Sequence, residues 1–178
     1  MNKNILIGIT GSISCYKICD LVWELKEKGF NCFVAMSETS LKFVNKLTFE
    51  ILTGNKVLTD KSWFESNSVE HINIINNIDC FLVAPATANT ISKISCGISD
   101  NIISTLAISL KENTKKFFAP SMNTNMYNNI VIQENINKLK KIGYIEIPPC
   151  KTLLACGDYG IGGLAKLEDI IEFINKFN

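Results

Sequence analysis

Two residues of this sequence, His71 and Cys156, carry side chains suited to acid–base or covalent chemistry, and a third, Asn123, carries a polar amide. His71 is the only histidine in the chain, and an imidazole exchanges a proton near neutral pH. Cys156 stands before Gly157 and Asp158 in a glycine-rich segment rather than in an apolar run, an unusual setting for a structural cysteine. Asn123 follows a predicted strand. Simpler interpretations stay open: a surface or capping histidine, an inert loop cysteine and a helix N-cap asparagine.

Three turns of small and hydroxylated residues follow predicted strands, at 11–14, 85–90 and 120–123. The second follows the unbroken apolar run 81–84, which is typical of a strand buried on both faces of a parallel sheet. Free backbone N–H groups and hydroxyls at such turns suit a phosphate or the polar edge of a ring. Because all three turns lie at the carboxyl edge of the sheet, we favour a binding site over three independent helix caps.

Alternating strands and helices position these turns. Pro85 is expected to end the central strand because proline cannot donate to a sheet, and the next helix to begin at Ile91. Residues 60–68 are predicted as a loop, and the glycine-rich residues 150–166 as a lid. The predicted strands are 5–9, 32–36, 81–84, 116–119 and 144–147, and the predicted helices 15–28, 40–54, 91–97, 99–110, 129–141 and 167–177. The pattern predicts an α/β fold: one domain, 1–178, with a Rossmann-like or flavodoxin-like doubly wound parallel sheet and helices on both faces.

The composition limits the partners, ligand contacts and cellular compartment that are expected for this protein. The 178 residues are 47% apolar and 20% charged, with a net charge of +1, so neither nucleic acid nor an anionic membrane is indicated as a partner. All 18 basic residues are lysines, so an anionic ligand must be held by lysine, backbone amides or helix ends. A strand that begins almost at Met1 leaves no room for a signal peptide, and a cytoplasmic protein is expected. Seven scattered cysteines and one histidine predict no metal site.

The first turn restricts the nucleotide that could bind. It lacks the G-x-G-x-x-G spacing, and no acidic residue ends the strand 32–36 to hold a ribose. A nicotinamide dinucleotide is therefore disfavoured, whereas a mononucleotide stays open. Residues 37–40 are interpreted either as a helix cap only or as a ligand contact.

Over nearly its whole length the chain resembles the flavin-containing cysteine decarboxylases. The resemblance rests on residues 11–13, 85–90, 120–127 and 154–158, in that order, with His71 ahead of the central strand. It implies His71 as an active-site base, Cys156 as a proton donor and Asn123 as a substrate anchor. It implies further substrate contacts from Met126, Leu153 and Ala155. It implies FMN held by Gly11, Ser12, Ile13, Ser37, Thr39, Thr87, Ala88, Asn89, Thr90 and Ser121.

The resemblance also implies a reaction. Phosphopantothenoylcysteine would be decarboxylated to phosphopantetheine in coenzyme A biosynthesis. Oxidation of its CH₂–SH group to a thioaldehyde lets the carboxylate leave as CO₂, since the electrons move onto sulfur in an ene-thiol. Reduction, with a proton from Cys156, completes a cycle with no net redox change.

Family members are homotrimers or homododecamers with the flavin at a subunit boundary, so His71 is expected to reach the flavin of a neighbouring chain. Where many members carry an arginine–methionine pair, this chain has Gly163 and Leu164. Lys151 is the candidate for the phosphate contact instead. Many bacterial relatives are fused to the ligase that makes the substrate, so either a separate ligase is implied or this chain is truncated.

Three alternatives stay open. Relatives that oxidatively decarboxylate C-terminal cysteines of peptides stop at the ene-thiol and lack the counterpart of Cys156, so its presence disfavours them. Flavin prenyltransferases are more distant and are disfavoured by the same loop. Non-catalytic homologues that regulate a phosphatase usually carry acidic tails, and the joint presence of His71, Asn123 and Cys156 favours an enzyme.

Overall fold

The computed structural model describes residues 3–65 and 74–177. Six strands form one parallel sheet and two form an antiparallel hairpin. The sheet strands are β1 (Asn4–Ile9), β2 (Asn31–Met36), β3 (Leu58–Thr59), β4 (Cys80–Ala86), β5 (Lys115–Pro120) and β6 (Tyr144–Glu146), and the hairpin strands are β7 (Cys150–Leu153) and β8 (Tyr159–Gly163). The helices are α1 (Lys17–Glu27), α2 (Lys46–Thr53), α3 (Asp60–Glu65), α4 (Ala88–Cys96), α5 (Ile102–Ile108), α6 (Thr124–Tyr127), α7 (Ile130–Lys141) and α8 (Leu167–Phe177), with 3₁₀ turns at Ile13–Tyr16 and Ser40–Lys42.

The sheet order is β3-β2-β1-β4-β5-β6, which is the Rossmann order of a doubly wound sheet. Alternate residues of β1 point to opposite faces: Ile5, Ile7 and Ile9 join one core with α1 and α8, and Leu6 joins the other with α4, α5 and α7. Every residue of β4 is buried. Helices therefore cover both faces, which confirms the predicted fold class.

Two predictions were wrong, one about the end of the central strand and one about the start of the helix that follows it. β4 continues through Pro85 to Ala86, because its pairing with β5 shifts register between Val83 and Ala86, and an irregularity of this kind tolerates a residue that cannot donate. α4 begins at Ala88 rather than at Ile91, since the Thr87 side chain accepts a hydrogen bond from the Thr90 backbone and caps the helix there.

The loop predicted at 60–68 was also partly wrong, because α3 occupies Asp60–Glu65. Its start is stabilised reciprocally: the Thr59 backbone donates to Ser62 Oγ at 2.8 Å, and the Ser62 backbone donates to Thr59 Oγ1 at 3.1 Å. Such mutual capping satisfies the free donors of a helix N-terminus. Asp60 Oδ1 additionally accepts from the Ile102 backbone at the start of α5.

The glycine-rich segment 150–166 is an ordered hairpin at its core. The backbone N–H of Gly157 donates to Leu154 O at 2.9 Å, and that of Leu154 donates to Asp158 O at 2.8 Å. Gly157 has a φ of +89°, a left-handed conformation that closes a three-residue hairpin loop. This turn places Cys156 at the tip of the hairpin. In the two described ranges, none of the helices combines the length and apolar character needed to cross a membrane.

Candidate functional site

A cleft opens outside the carboxyl ends of β1 and β4, where the strand order reverses. Its volume is about 860 Å³, within the range of roughly 300–1,000 Å³ typical of small-molecule sites. The three turns predicted to converge, after β1, β4 and β5, all border it. The prediction that they converge at one edge of the sheet is confirmed, and their binding of a ligand stays a prediction.

Apart from Lys151, every predicted site residue that the structure describes lines this cleft. His71 lies outside the described residues, so its role stays a prediction. The residues that line the cleft as predicted are Gly11, Ser12, Ile13, Ser37, Thr39, Thr87, Ala88, Asn89, Thr90, Ser121, Asn123, Met126, Leu153, Ala155 and Cys156. Their individual contacts with a ligand also stay predictions.

Thr10, which sequence reasoning missed, joins the first two turns. Its hydroxyl donates to Pro85 O at 2.6 Å and accepts from the Thr87 backbone at 3.0 Å, and the residue is 1% exposed. One buried hydroxyl therefore holds the loop after β1 against the loop after β4, at the point where the cleft begins. Its position directly after β1 was the available signal, but its partners are 75 and 77 residues away.

We expect Thr10→Val to lower the free energy of unfolding by about 1–3 kcal/mol, because a near-isosteric methyl leaves the part-buried Thr87 N–H without its acceptor and the buried Pro85 carbonyl without its donor. Urea denaturation measures the change. Thr114→Val is the matched control, since Thr114 is 5% exposed and its hydroxyl has no hydrogen-bond partner among the described residues. Equal effects of the two substitutions would contradict the assigned role of Thr10.

Serine hydroxyls form the floor between the first and third turns. Ser121 Oγ lies 3.1 Å from Ser12 Oγ and 3.1 Å from Ser14 Oγ. Gly11 brings the same loop against the loop after β2, since a Cβ at Gly11 would lie 2.4 Å from Thr39 Cγ2. The result is a narrow, hydroxyl-rich cradle beside a helix N-terminus, which fits a phosphate and the polar edge of a flat ring.

The lysines of the cleft were missed by the sequence analysis. Among the described residues that line it, the cations are Lys17 and Lys93, and Lys93 pairs with Asp100 at 2.8 Å. Lys151 is not part of the lining; its Nζ lies 5.5 Å from the centre of the Tyr159 ring. Of these two lysines, Lys17 at the start of α1 is the one that follows the Ser12–Ser14 turn directly in the chain.

The hairpin closes one side of the cleft and brings Cys156 to Asn123. The Met122 backbone donates to Gly162 O at 2.9 Å, which fastens β8 to the loop after β5. Asn123 Nδ2 lies 3.3 Å from Cys156 Sγ and donates to it, and the thiol donates to Asp158 Oδ2 at 3.4 Å. Two residues separated by 33 positions thus form a polar pair at the mouth of the cleft.

The short helix α6, which follows Asn123, is anchored by Tyr127. Its hydroxyl donates to Glu146 Oε1 at 2.9 Å, and Glu146 also pairs with Lys140. Gln133 Nε2 donates to Tyr127 O at 2.6 Å. Burial, together with the hydrogen bond to Glu146 and its charge, raises the pKa of Tyr127 to about 12. These contacts fix the helix that carries Met126 beside Asn123.

The raised pKa of Tyr127 makes the free energy of unfolding depend on pH in the alkaline range. Tyr127 keeps its proton in the folded state above its ordinary value of 10.0, so its contribution is fully present below that pH and is lost as pH rises towards about 12. We expect Tyr127→Phe to be less stable than the wild type at pH 8, and the difference to shrink across that interval. Urea unfolding at several pH values tests this. A difference that does not change with pH would contradict it.

Comparisons with known proteins identify the family of this chain. The model of the family described as Flavoprotein matches residues 1–178. The chain belongs to this flavoprotein family. A relative from Streptococcus mutans, described as a probable phosphopantothenoylcysteine decarboxylase, is 42% identical over 99% of each chain. Members described as coenzyme A biosynthesis bifunctional protein CoaBC are longer: the chain spans 45% of the one from Borreliella burgdorferi, at 42% identity.

Solved structures of the family share the fold and the length. A structure described as a PPC decarboxylase mutant complexed with pantothenoylaminoethenethiol has a TM-score of 0.90 at 28% identity, covering 99% of this chain and 98% of that one. The FMN binding protein AtHal3 has a TM-score of 0.87 at 30% identity, covering 99% and 97%. The resemblance expected from the sequence motifs is confirmed.

Proposed function

We propose that this flavoprotein uses FMN to decarboxylate phosphopantothenoylcysteine to phosphopantetheine, a carboxy-lyase reaction of coenzyme A biosynthesis. The relative from S. mutans and the solved PPC decarboxylase support the reaction. The observation that carries the proposal in this chain is that Asn123 and Cys156, 3.3 Å apart, border the same cleft as the hydroxyl-rich turns. A hydroxyl-rich cradle and a thiol with an amide donor beside it thereby border one cavity.

The cradle suits FMN in size and in its donors. Backbone N–H groups and hydroxyls around Ser12, Thr87 and Ser121 would hold the phosphate and the polar ring edge, and the lack of a side chain at Gly11 lets this loop pack directly against Thr39. Lys17 supplies positive charge at the same turn. Bound FMN provides a reversible two-electron acceptor for the CH₂–SH group of the substrate.

The chain's own residues bind the substrate and move its protons. Asn123 anchors the substrate carboxylate through its amide, and Met126 and Leu153 present apolar surface at the cleft mouth. Cys156 gives the proton of its thiol to the ene-thiol formed after CO₂ leaves, and phosphopantetheine results when the hydride that the cofactor took up is also returned. His71 takes a proton earlier in the cycle, as imidazole does near neutral pH.

The active unit in this proposal is one domain, 1–178, in a homotrimer or homododecamer with the site at a subunit boundary. Exposed apolar side chains around the cleft support it: Ile13 is 55%, Met126 49% and Leu153 68% exposed, and such surface marks interaction sites. His71 of a neighbouring chain would then complete the site. The protein acts in the cytoplasm, where a ligase, separate or fused as in the bifunctional relatives, supplies the substrate.

A single-substrate assay tests the proposed reaction. Purified protein loaded with FMN is mixed with phosphopantothenoylcysteine without air, and the mass of the product is measured by mass spectrometry. We expect the loss of CO₂ alone, with the flavin oxidised again at the end. Loss of CO₂ together with two hydrogen atoms, leaving reduced flavin, would instead identify an oxidative decarboxylase, and an unchanged substrate would contradict both.

A further inference from the structure

The sulfur of Cys156 has two polar neighbours of opposite kind. Asn123 Nδ2 donates to Sγ at 3.3 Å, and the thiol donates to Asp158 Oδ2 at 3.4 Å. A thiol offers one donor and a weak acceptor, so both of its capacities are used. The carboxylate is held in reach because the backbone N–H of Leu154 donates to Asp158 O at 2.8 Å, across the turn that displays the thiol.

We propose that Asp158 is a positioning residue for Cys156, an inference that rests on the proposed function. In that function, Asn123 turns its amide towards the substrate carboxylate and no longer donates to the sulfur. Asp158 is then the remaining polar partner that the hairpin provides. Its carboxylate keeps the freely rotating thiol near its observed place at the cleft mouth until the proton is needed.

Loss of Asp158 is expected to affect one half of the reaction and not the other. Oxidation and decarboxylation of the substrate do not use the thiol, so they do not depend on Asp158. Protonation of the ene-thiol does depend on it, because a general acid is effective only when its proton is aligned with the acceptor, and a misplacement of one ångström costs about 100-fold. Loss of Asp158 should therefore slow the second half of the cycle and allow ene-thiol to accumulate.

The test uses the FMN-loaded protein with Asp158→Ala, which removes the acceptor, and Asp158→Asn, which keeps one. Glu112→Ala removes an exposed carboxylate outside the cleft lining and is the control. Two rates are followed: bleaching of the flavin, which reports the first half, and formation of phosphopantetheine, which reports the second. We expect Asp158→Ala to bleach at the wild-type rate and to form phosphopantetheine about 10- to 100-fold more slowly, with Asp158→Asn in between.

A second measurement does not depend on the reaction. Alkylation of Cys156 by iodoacetamide, followed by peptide mass spectrometry, should be several-fold faster in Asp158→Ala than in Glu112→Ala, because the exposed thiol is then no longer held in one orientation by its acceptor and meets the reagent more freely. If wild-type protein fails to turn over the substrate, the proposed function fails while this contact is still tested.

Two results would overturn the inference. One is equal slowing of bleaching and product formation, which indicates general damage to the hairpin. The other is an alkylation rate and a product ratio in Asp158→Ala that match the wild type. If Asp158→Ala does not fold, as judged by its thermal unfolding, the same comparisons are made with Asp158→Asn.

Discussion

Replacing Cys156 with serine should stop the reaction at the ene-thiol. A serine hydroxyl is a far weaker acid than a thiol, so the proton that completes phosphopantetheine is missing, whereas substrate binding, oxidation and loss of CO₂ need no proton from this position. Removal of a general acid costs about 10²- to 10⁴-fold. We expect phosphopantetheine formation to fall by that factor while an ene-thiol, lighter than the normal product by two hydrogen atoms, accumulates with reduced flavin.

The matched control is Cys96→Ser, because Cys96 is the other exposed free cysteine among the described residues and lies on α4 outside the cleft lining. It should turn over at the wild-type rate and release phosphopantetheine only. Mass spectrometry of the products separates the two variants directly. Normal turnover by Cys156→Ser would remove this thiol from the mechanism, and with it the inference about Asp158.

Adding one methyl group at Gly11 should abolish flavin binding. The new Cβ would lie 2.4 Å from Thr39 Cγ2 and 2.6 Å from Thr39 Cβ, so the loops after β1 and β2 must move apart. Overpacking of this kind costs about 1–3 kcal/mol, and the movement displaces the hydroxyls that line the cradle. We expect purified Gly11→Ala to be colourless, to melt at a lower temperature and to leave the fluorescence of added FMN unquenched.

A second substitution separates the clash from other effects. Thr39→Gly removes both of the atoms that approach most closely, leaving the Thr39 carbonyl carbon at 3.4 Å. The double variant should therefore regain much of the unfolding free energy that Gly11→Ala loses, measured against Thr39→Gly alone. Wild-type FMN affinity in Gly11→Ala, or no recovery in the double variant, would show that the two loops do not need this close approach.

The core of the fold and most of the site were predictable from local patterns. Unbroken apolar runs identified the buried strands β1, β2, β4 and β5, since a strand covered on both faces must be apolar throughout. The turns that follow β1, β4 and β5 were identified by their small and hydroxylated residues. Parallel strands place such turns at one edge, so their convergence followed from the fold class alone.

Several local features were decided by contacts that local patterns do not encode. Pro85 is tolerated inside β4 because of how β5 pairs beside it, and α3 forms where a polar stretch indicated a loop because Thr59 and Ser62 cap each other. The hairpin that holds Cys156 needed both a left-handed glycine and a docking contact from the Met122 backbone. Pairing partners and backbone dihedrals of this kind are set only when the elements pack.

The sequence by itself therefore determined the fold class, the family motifs and the residue types of the site, because these follow from burial, spacing and turn chemistry along the chain. Only the tertiary structure decided which side chains meet. The link from Thr10 to the β4 loop, the cleft lysines and the Asn123–Cys156–Asp158 contacts each depend on angstrom-scale positions of separate segments. Folding must bring those segments together before a hydroxyl, an amide or a thiol has a partner.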